Sequence, residues 1–146
     1  TDTVQIDLNG EYRYKVDAKG RVSLPAKFRK VLPSDLVVTL DPGSEYLMVF
    51  TSEGFNQWVK EEMDYITTKK EMTRKQHLDY LRSFKKRAKD VQIDTAGRIV
   101  IPADQRDAAG IEKDAVIVGM EGYFEMWDAK RYDANEGDCD LSLALL

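Results

Sequence analysis

Two aspartate–arginine pairs, each spaced four residues apart around a glycine, are the residues in this chain best suited to chemistry. They read Asp17-Ala18-Lys19-Gly20-Arg21 and Asp94-Thr95-Ala96-Gly97-Arg98. An aspartate at the start of a turn can accept hydrogen bonds from backbone N–H groups two or three residues on, and glycine permits the positive φ that a tight turn requires. Asp17, Gly20, Asp94 and Gly97 are therefore read as scaffold. The arginine that follows carries a planar fork able to grip a phosphate or a guanine edge with two hydrogen bonds. Lys19 lies inside the first turn, and Arg13 and Lys15 precede it at alternate positions. The second turn has only Arg98 in the equivalent stretch. Contact with a polyanion such as double-stranded DNA is thus expected through Arg21, Lys19, Arg13 and Lys15, with Arg98 in a lesser role.

Other chemistries find little support. With one histidine, His77, and one cysteine, Cys139, far apart in sequence, a zinc site lacks ligands. No Ser–His–Asp arrangement is framed, and the glycine-rich phosphate loops GxGxxG and GxxxxGKS are absent from the sequence. Glu61 and Glu62 point to different sides of a helix and read as surface charge. No catalytic residue, metal, cofactor or small-molecule substrate is expected.

The turns belong to a longer repeat. Residues 17–29 and 94–106 share six identities in thirteen, including Pro25 with Pro102, Ala26 with Ala103 and Arg29 with Arg106. The same offset of 77 places Tyr46 to Phe50 on Tyr123 to Trp127. Each copy reads as strand, turn, strand, a helical turn started by its proline, then a hairpin. In the first copy the strands are 12–16, 22–24, 36–40 and 46–50; in the second they are 91–93, 99–101, 115–118 and 123–127. Strands this short are unstable alone, and a repeated unit that cannot bury its apolar face must pack on its copy. Interleaving the copies into one small barrel would remove their exposed edges. Arg29 and Arg106 are expected to be structural, satisfying the last carbonyls of their short helices.

Two helices separate the copies. One has Ser52 as its N-cap and Phe55, Trp58, Val59, Met63 and Ile66 at helical spacing. The other runs from about 73 to 89, with Leu78, Leu81, Phe84 and Ala88 on one stripe. A short helix through Tyr132 and an acidic tail with Leu141 to Leu146 follow. Phe50, Trp58 and Trp127 read as core or interface anchors. The resulting division is 10–50 first repeat, 51–89 helical connector, 90–132 second repeat and 133–146 tail.

Charge is unevenly spread. The total is −4, yet residues 69–89 carry nine Lys/Arg against two acids, a local +7 that leaves −11 for the remainder. Nucleic-acid binding needs a positive face rather than a positive sum, and an assembly repeating one weak contact suits such a chain. The 69–89 run is read first as a solvated helix face and second as a segment near DNA, with pairing to Glu61, Glu62 and Asp64 of an adjacent subunit as the alternative to DNA. No stretch approaches the roughly 18 apolar residues of a membrane span. Residues 1–4 do not resemble a signal peptide, and a lone cysteine suits a reducing cytoplasm.

The doubled Asp-x-x-Gly-Arg-x-x-x-Pro-x-x-x-Arg motif, with Gly10-Glu11-Tyr12 ahead of the first copy and a Lys/Arg-rich helix ahead of the second, resembles the MraZ family. MraZ is a bacterial family of the wider AbrB-like, swapped-hairpin group, and the resemblance runs from about Gly10 to Tyr132. It implies an α+β fold in which two swapped-hairpin repeats form one pseudo-twofold small β-barrel flanked by helices. It also implies a cytoplasmic, nucleoid-associated transcriptional regulator, a ring-like homo-oligomer that binds short repeats upstream of its own cell-division and cell-wall operon. The family's first-copy arginine, associated with DNA binding, falls on Arg21. Many relatives carry a basic residue where this chain has Asn9. A non-catalytic interaction oligomer, antitoxin-like or scaffolding, is the competing expectation.

Overall fold

The computed structural model describes residues 6–135, 137 and 139–146. The leader reading of residues 1–4 and positions 136 and 138 of the acidic tail lie outside the described residues. The first repeat contains β1 (Glu11–Lys15), β2 (Arg21–Ser23), α1 (Ala26–Val31), β3 (Asp35–Leu40) and β4 (Leu47–Phe50). The connector is α2 (Ser52–Lys69) and α3 (Arg74–Arg87). The second repeat follows in the same order: β5 (Lys89–Gln92), β6 (Arg98–Val100), α4 (Ala103–Ala109), β7 (Asp114–Gly119) and β8 (Tyr123–Asp128). The chain then forms α5 (Ala129–Ala134) and a 3-10 turn, Leu141–Leu145.

Local chemistry accounts for the boundaries. Pro25 and Pro102 sit at φ −54° just before α1 and α4, so the ring presets the entry to each helix. α4 stops at Gly110, whose φ of +70° is a left-handed cap. α2 begins one residue earlier than expected, with Thr51 Oγ1 accepting from Gly54 N–H. α3 starts in a reciprocal box between Thr73 and Gln76.

The architecture is α+β and antiparallel, as expected, but the barrel is not. Six strands form an open sheet in the order β1-β7-β8-β4-β3-β5, and β2 pairs with β6 as a separate two-stranded ribbon. The reason lies in the turns. Each turn closes on itself through a single pair of backbone bonds, and beyond it β2 and β6 pair with each other, which leaves β1 and β5 as the two edges of the open sheet. Pairing crosses between the copies: β1 lies on β7, β5 on β3 and β4 on β8.

Strand alternation feeds two cores. Leu36, Val38, Leu47 and Val49 face a cluster shared by both repeats, with Val22, Leu24, Phe28, Ile99, Ile101, Ile117 and Phe124. The intervening Val37, Met48 and Phe50 face the connector helices and pack with Phe55, Val59 and Met63. Both sheet faces are covered there, so β4 is buried at every position. Of the expected anchors, Phe50 and Trp127 are buried, and Trp58 packs its ring 5.4 Å from Phe50 and 5.5 Å from Phe84. Phe28, 1% exposed, sits 5.4 Å from the Tyr12 ring and 5.5 Å from Phe124, which joins α1 to both repeats. Phe28→Ala is therefore expected to cost about 3–5 kcal/mol in equilibrium denaturation.

Candidate nucleic-acid interface

Each Asp-x-x-Gly-Arg turn is closed by its aspartate. Asp17 Oδ1 accepts from the N–H groups of Lys19 and Arg21, both at 2.9 Å, and Oδ2 accepts from Arg21 Nε at 2.6 Å. The second turn reproduces this: Asp94 Oδ1 accepts from Ala96 and Arg98 N–H at 2.9 Å, and Oδ2 from Arg98 Nε at 3.1 Å. Hydrogen bonds from the Arg21 and Arg98 amides are the main cause holding the Asp17 and Asp94 carboxyls below their ordinary range. In both turns the arginine is gripped through Nε, which leaves its two Nη nitrogens outside that bond.

Gly20 and Gly97 have φ of +79° and +78°, as the turn requires. Their second role was not legible in the motif. A Cβ on Gly20 would lie 2.6 Å from Arg106 Nη1, and one on Gly97 would collide with the guanidinium of Arg29. Arg29 and Arg106 do not fold back on their own helices as expected; each lies across the turn of the other repeat. The backbone repeats this crossing, with Leu24 N–H donating to Gly97 O at 3.0 Å and Ile101 N–H to Gly20 O at 2.8 Å. Repeat-equivalence flagged both arginines, but no local signal gives their partners.

The ribbon sets the outward chemistry. Its register pairs Arg21 with Val100, Val22 with Ile99 and Ser23 with Arg98. Val22 and Ile99 are both 1% exposed and point into the core. Period-two alternation therefore puts Arg21, Ser23, Arg98 and Val100 on the opposite face. Arg21 and Arg98 are diagonal neighbours there, on the order of 7–8 Å apart at their Cα atoms. Lys19 stands exposed at the first turn.

Arg13 and Lys15 lie on the exposed side of β1, opposite Val116 and Asp114 of β7. Arg13 is drawn toward α5: Asp133 accepts from Nη2 at 2.6 Å and from Nη1 at 3.2 Å, and the Tyr132 ring lies 5.9 Å away. This pair lowers the Asp133 carboxyl and raises the Arg13 guanidinium, the hydrogen bond being the largest cause of each. The basic α3 is partly engaged internally. Asp79 takes Lys75 and Arg82, Lys85 donates to Asn56, and Arg87 donates to Leu40 O and Asp41 O. His77 is exposed. Among the described residues no group of three or more His, Cys, Asp or Glu converges to hold a metal ion. No described helix is long and apolar enough to cross a membrane.

Together these elements define a class: a two-repeat α+β protein with a paired ribbon at its pseudo-symmetric centre, each strand led by an aspartate-locked arginine turn. A family model described as "MraZ protein, putative antitoxin-like" matches residues 8–76 and 84–143. Similar proteins include the transcriptional regulator MraZ of Treponema denticola, 39% identical over 140 residues covering 94% of each chain. The protein of that name from Ligilactobacillus salivarius is 38% identical over 128 residues, 86% of this chain and 83% of its own. That from Lachnoclostridium phytofermentans is 36% identical over 129 residues, 88% and 86% of the two chains. This chain belongs to the MraZ family.

Two outcomes follow for the turns. A carboxyl depressed in the folded state adds stability above its unfolded pKa and loses that contribution as pH falls through the folded value. Carboxyl NMR titration should place Asp17 and Asp94 below the usual aspartate pKa of about 3.9, with the turn's amide protection falling only at more acidic pH. Separately, Gly97→Ala should lower stability by at least about 1–2 kcal/mol, from the left-handed backbone alone, in urea melts. Arg29→Ala should relieve the steric part of that loss without removing the backbone part.

Proposed function

We propose that this protein is a sequence-specific DNA-binding transcriptional regulator, acting at short direct repeats upstream of its own cell-division and cell-wall operon. One observation carries the reading at the level of residues: Arg21 and Arg98 share the outward face of a two-stranded ribbon whose other face is core. A two-stranded β-ribbon fits the DNA major groove, and an arginine fork suits guanine O6 and N7. Membership of a family whose curated relatives are named transcriptional regulators supports the same function.

In this reading Arg21 and Arg98 address base edges, while Lys19, Arg13 and Lys15 hold phosphates and fix register. The N-terminal turn dominates because its cations have no counterparts in the second copy. The aspartates, glycines and prolines of the two motifs, Asp17, Gly20, Pro25, Asp94, Gly97 and Pro102, hold the turns in shape. The crossed pairing of β1 with β7 and β5 with β3 supports two swapped-hairpin repeats, 10–50 and 90–132, either side of the 51–89 connector. A ring-like homo-oligomer would present the same ribbon at regular spacing, matching tandem sites by avidity and offsetting the acidic total. The protein would act without catalysis or cofactor, in the cytoplasm at the nucleoid.

Titration of DNA selected from random oligonucleotides tests this. Arg21→Ala should weaken binding by about 1–3 kcal/mol, roughly five- to 150-fold, and Arg98→Ala by less. Wild-type affinity should fall steeply with salt. Unchanged affinity in Arg21→Ala removes the mechanism. The family description "putative antitoxin-like" favours a second reading, a non-catalytic oligomer that grips a partner protein. Capture of one protein partner from nuclease-treated lysate, equally by wild type and Arg21→Ala, would favour it.

A further inference from the structure

The crossed arginines, Arg29 and Arg106, have no acid to answer them. The aspartates of the two turns are already engaged: Asp17 binds the Lys19 and Arg21 amides and Arg21 Nε, and Asp94 does the same in the second turn. Among the described residues neither Arg29 nor Arg106 has an ion pair or a side-chain hydrogen bond. Their guanidiniums lie instead against glycines whose next residue is another arginine. Arg106 Nη1 stands 2.6 Å from where a Cβ on Gly20 would be, and Arg29 is packed against Gly97. Gly20 and Gly97 are buried although Lys19 and Ala96 beside them are exposed. The arginines that cover them keep their access to solvent, Arg29 being exposed and Arg106 half-buried.

Like charges are thus gathered at each turn. At the first, Lys19, Arg21 and Arg106 meet one carboxylate, Asp17; at the second, Arg98 and Arg29 meet Asp94. A side chain needed only to cover a glycine would do so at less cost uncharged, since neighbouring cations disfavour one another unless an anion joins them. The second turn has an alanine where the first has Lys19, and it gains its extra cation from the other copy. Placement points the same way. Gly20 O accepts from Ile101 N–H and Gly97 O from Leu24 N–H, so the two glycines mark opposite ends of the ribbon. From Gly20 to Leu24 is four strand steps, roughly 13 Å at about 3.3 Å each. The DNA major groove is about 12 Å wide, with a row of phosphates along each wall.

We infer that Arg29 and Arg106 bind DNA phosphates, each completing the anion site at the turn of the opposite repeat: Arg106 beside Lys19 and Arg21, Arg29 beside Arg98. With the ribbon across the groove, one free guanidinium stands at each phosphate wall. Phosphate contacts set register without reading sequence, so this pair positions the arginines that address base edges. The inference rests on the DNA-binding reading above and adds to it that neither repeat builds a complete site alone.

Titration of the full chain with the selected duplex and with a scrambled duplex, over a range of salt, tests it in Arg106→Gln, Arg29→Gln and Arg21→Ala. Each glutamine variant should weaken both duplexes alike, about three- to tenfold at roughly 0.15 M salt. Each should also flatten the slope of log K against log salt by about one per bound subunit. Arg106→Lys and Arg29→Lys keep the charge and should restore the slope. Arg21→Ala should instead penalise the selected duplex more than the scrambled one. Wild-type affinity and slope in both glutamine variants, or weakening confined to the selected duplex at an unchanged slope, would overturn the inference while leaving Arg21 as a DNA contact. Absence of salt-dependent binding by the wild type would remove the DNA-binding reading and this inference together. If Arg106→Gln fails to fold in a thermal melt, Arg29→Gln, at an exposed position, carries the test.

Discussion

Two backbone hydrogen bonds, Leu24 N–H to Gly97 O and Ile101 N–H to Gly20 O, tie the ribbon to the turns and each repeat to the other. A strand leaving one turn ends on the turn of the other copy, so neither half completes its own backbone pairing. Unpaired buried amides are costly, which makes the crossing obligatory once Val22 and Ile99 enter the common core. The side chains follow the same rule. Arg29 and Arg106 cover the opposite glycine, leaving no room there for a Cβ. Glycine is thus required twice over, by its φ and by what lies against it.

Within that frame, electrostatics is arranged locally. An acidic chain presents arginines on one face because Asp17 and Asp94 spend their carboxylates on turn amides and a single Nε each. Other positive charge is less available than a tally suggests. Arg13 is neutralised by Asp133, and Lys75 and Arg82 share Asp79. Exposed pairs of this kind contribute little to stability, on the order of 0–1 kcal/mol, and exchange readily for a stronger anion.

Duplication also left room for divergence. Phe28 of the first repeat becomes Gln105 in the second, both buried. The amide of Gln105 donates to Val38 O and Arg87 O, so it joins α4 to β3 and to the end of α3. The first copy has no such duty at that place and fills it with an aromatic ring. The same logic separates Gly54 from Arg131. One half spans the gap to the opposite turn with a guanidinium, and the other brings a glycine close to the Gly122 carbonyl, while the capping bond beneath both is kept.

Much of this was written in local chemistry. Positive-φ glycines, prolines at helix entries, amide-binding aspartates and two-residue alternation depend on a residue and its near neighbours, so the sequence alone placed the turns, strands and helices to within a few residues. The offset of 77 announced a shared core and matched arginines. Partners across the copies depend instead on which edges meet in space, and no local pattern encodes that. Tertiary structure alone decided that the sheet stays open, because β2 and β6 pair with each other beyond the turns. It also decided that Arg29 and Arg106 reach across the molecule, and that Arg13 rests against Asp133 over a separation of 120 residues. Contacts at that distance are set by packing and chain crossing, which a one-dimensional spacing cannot specify.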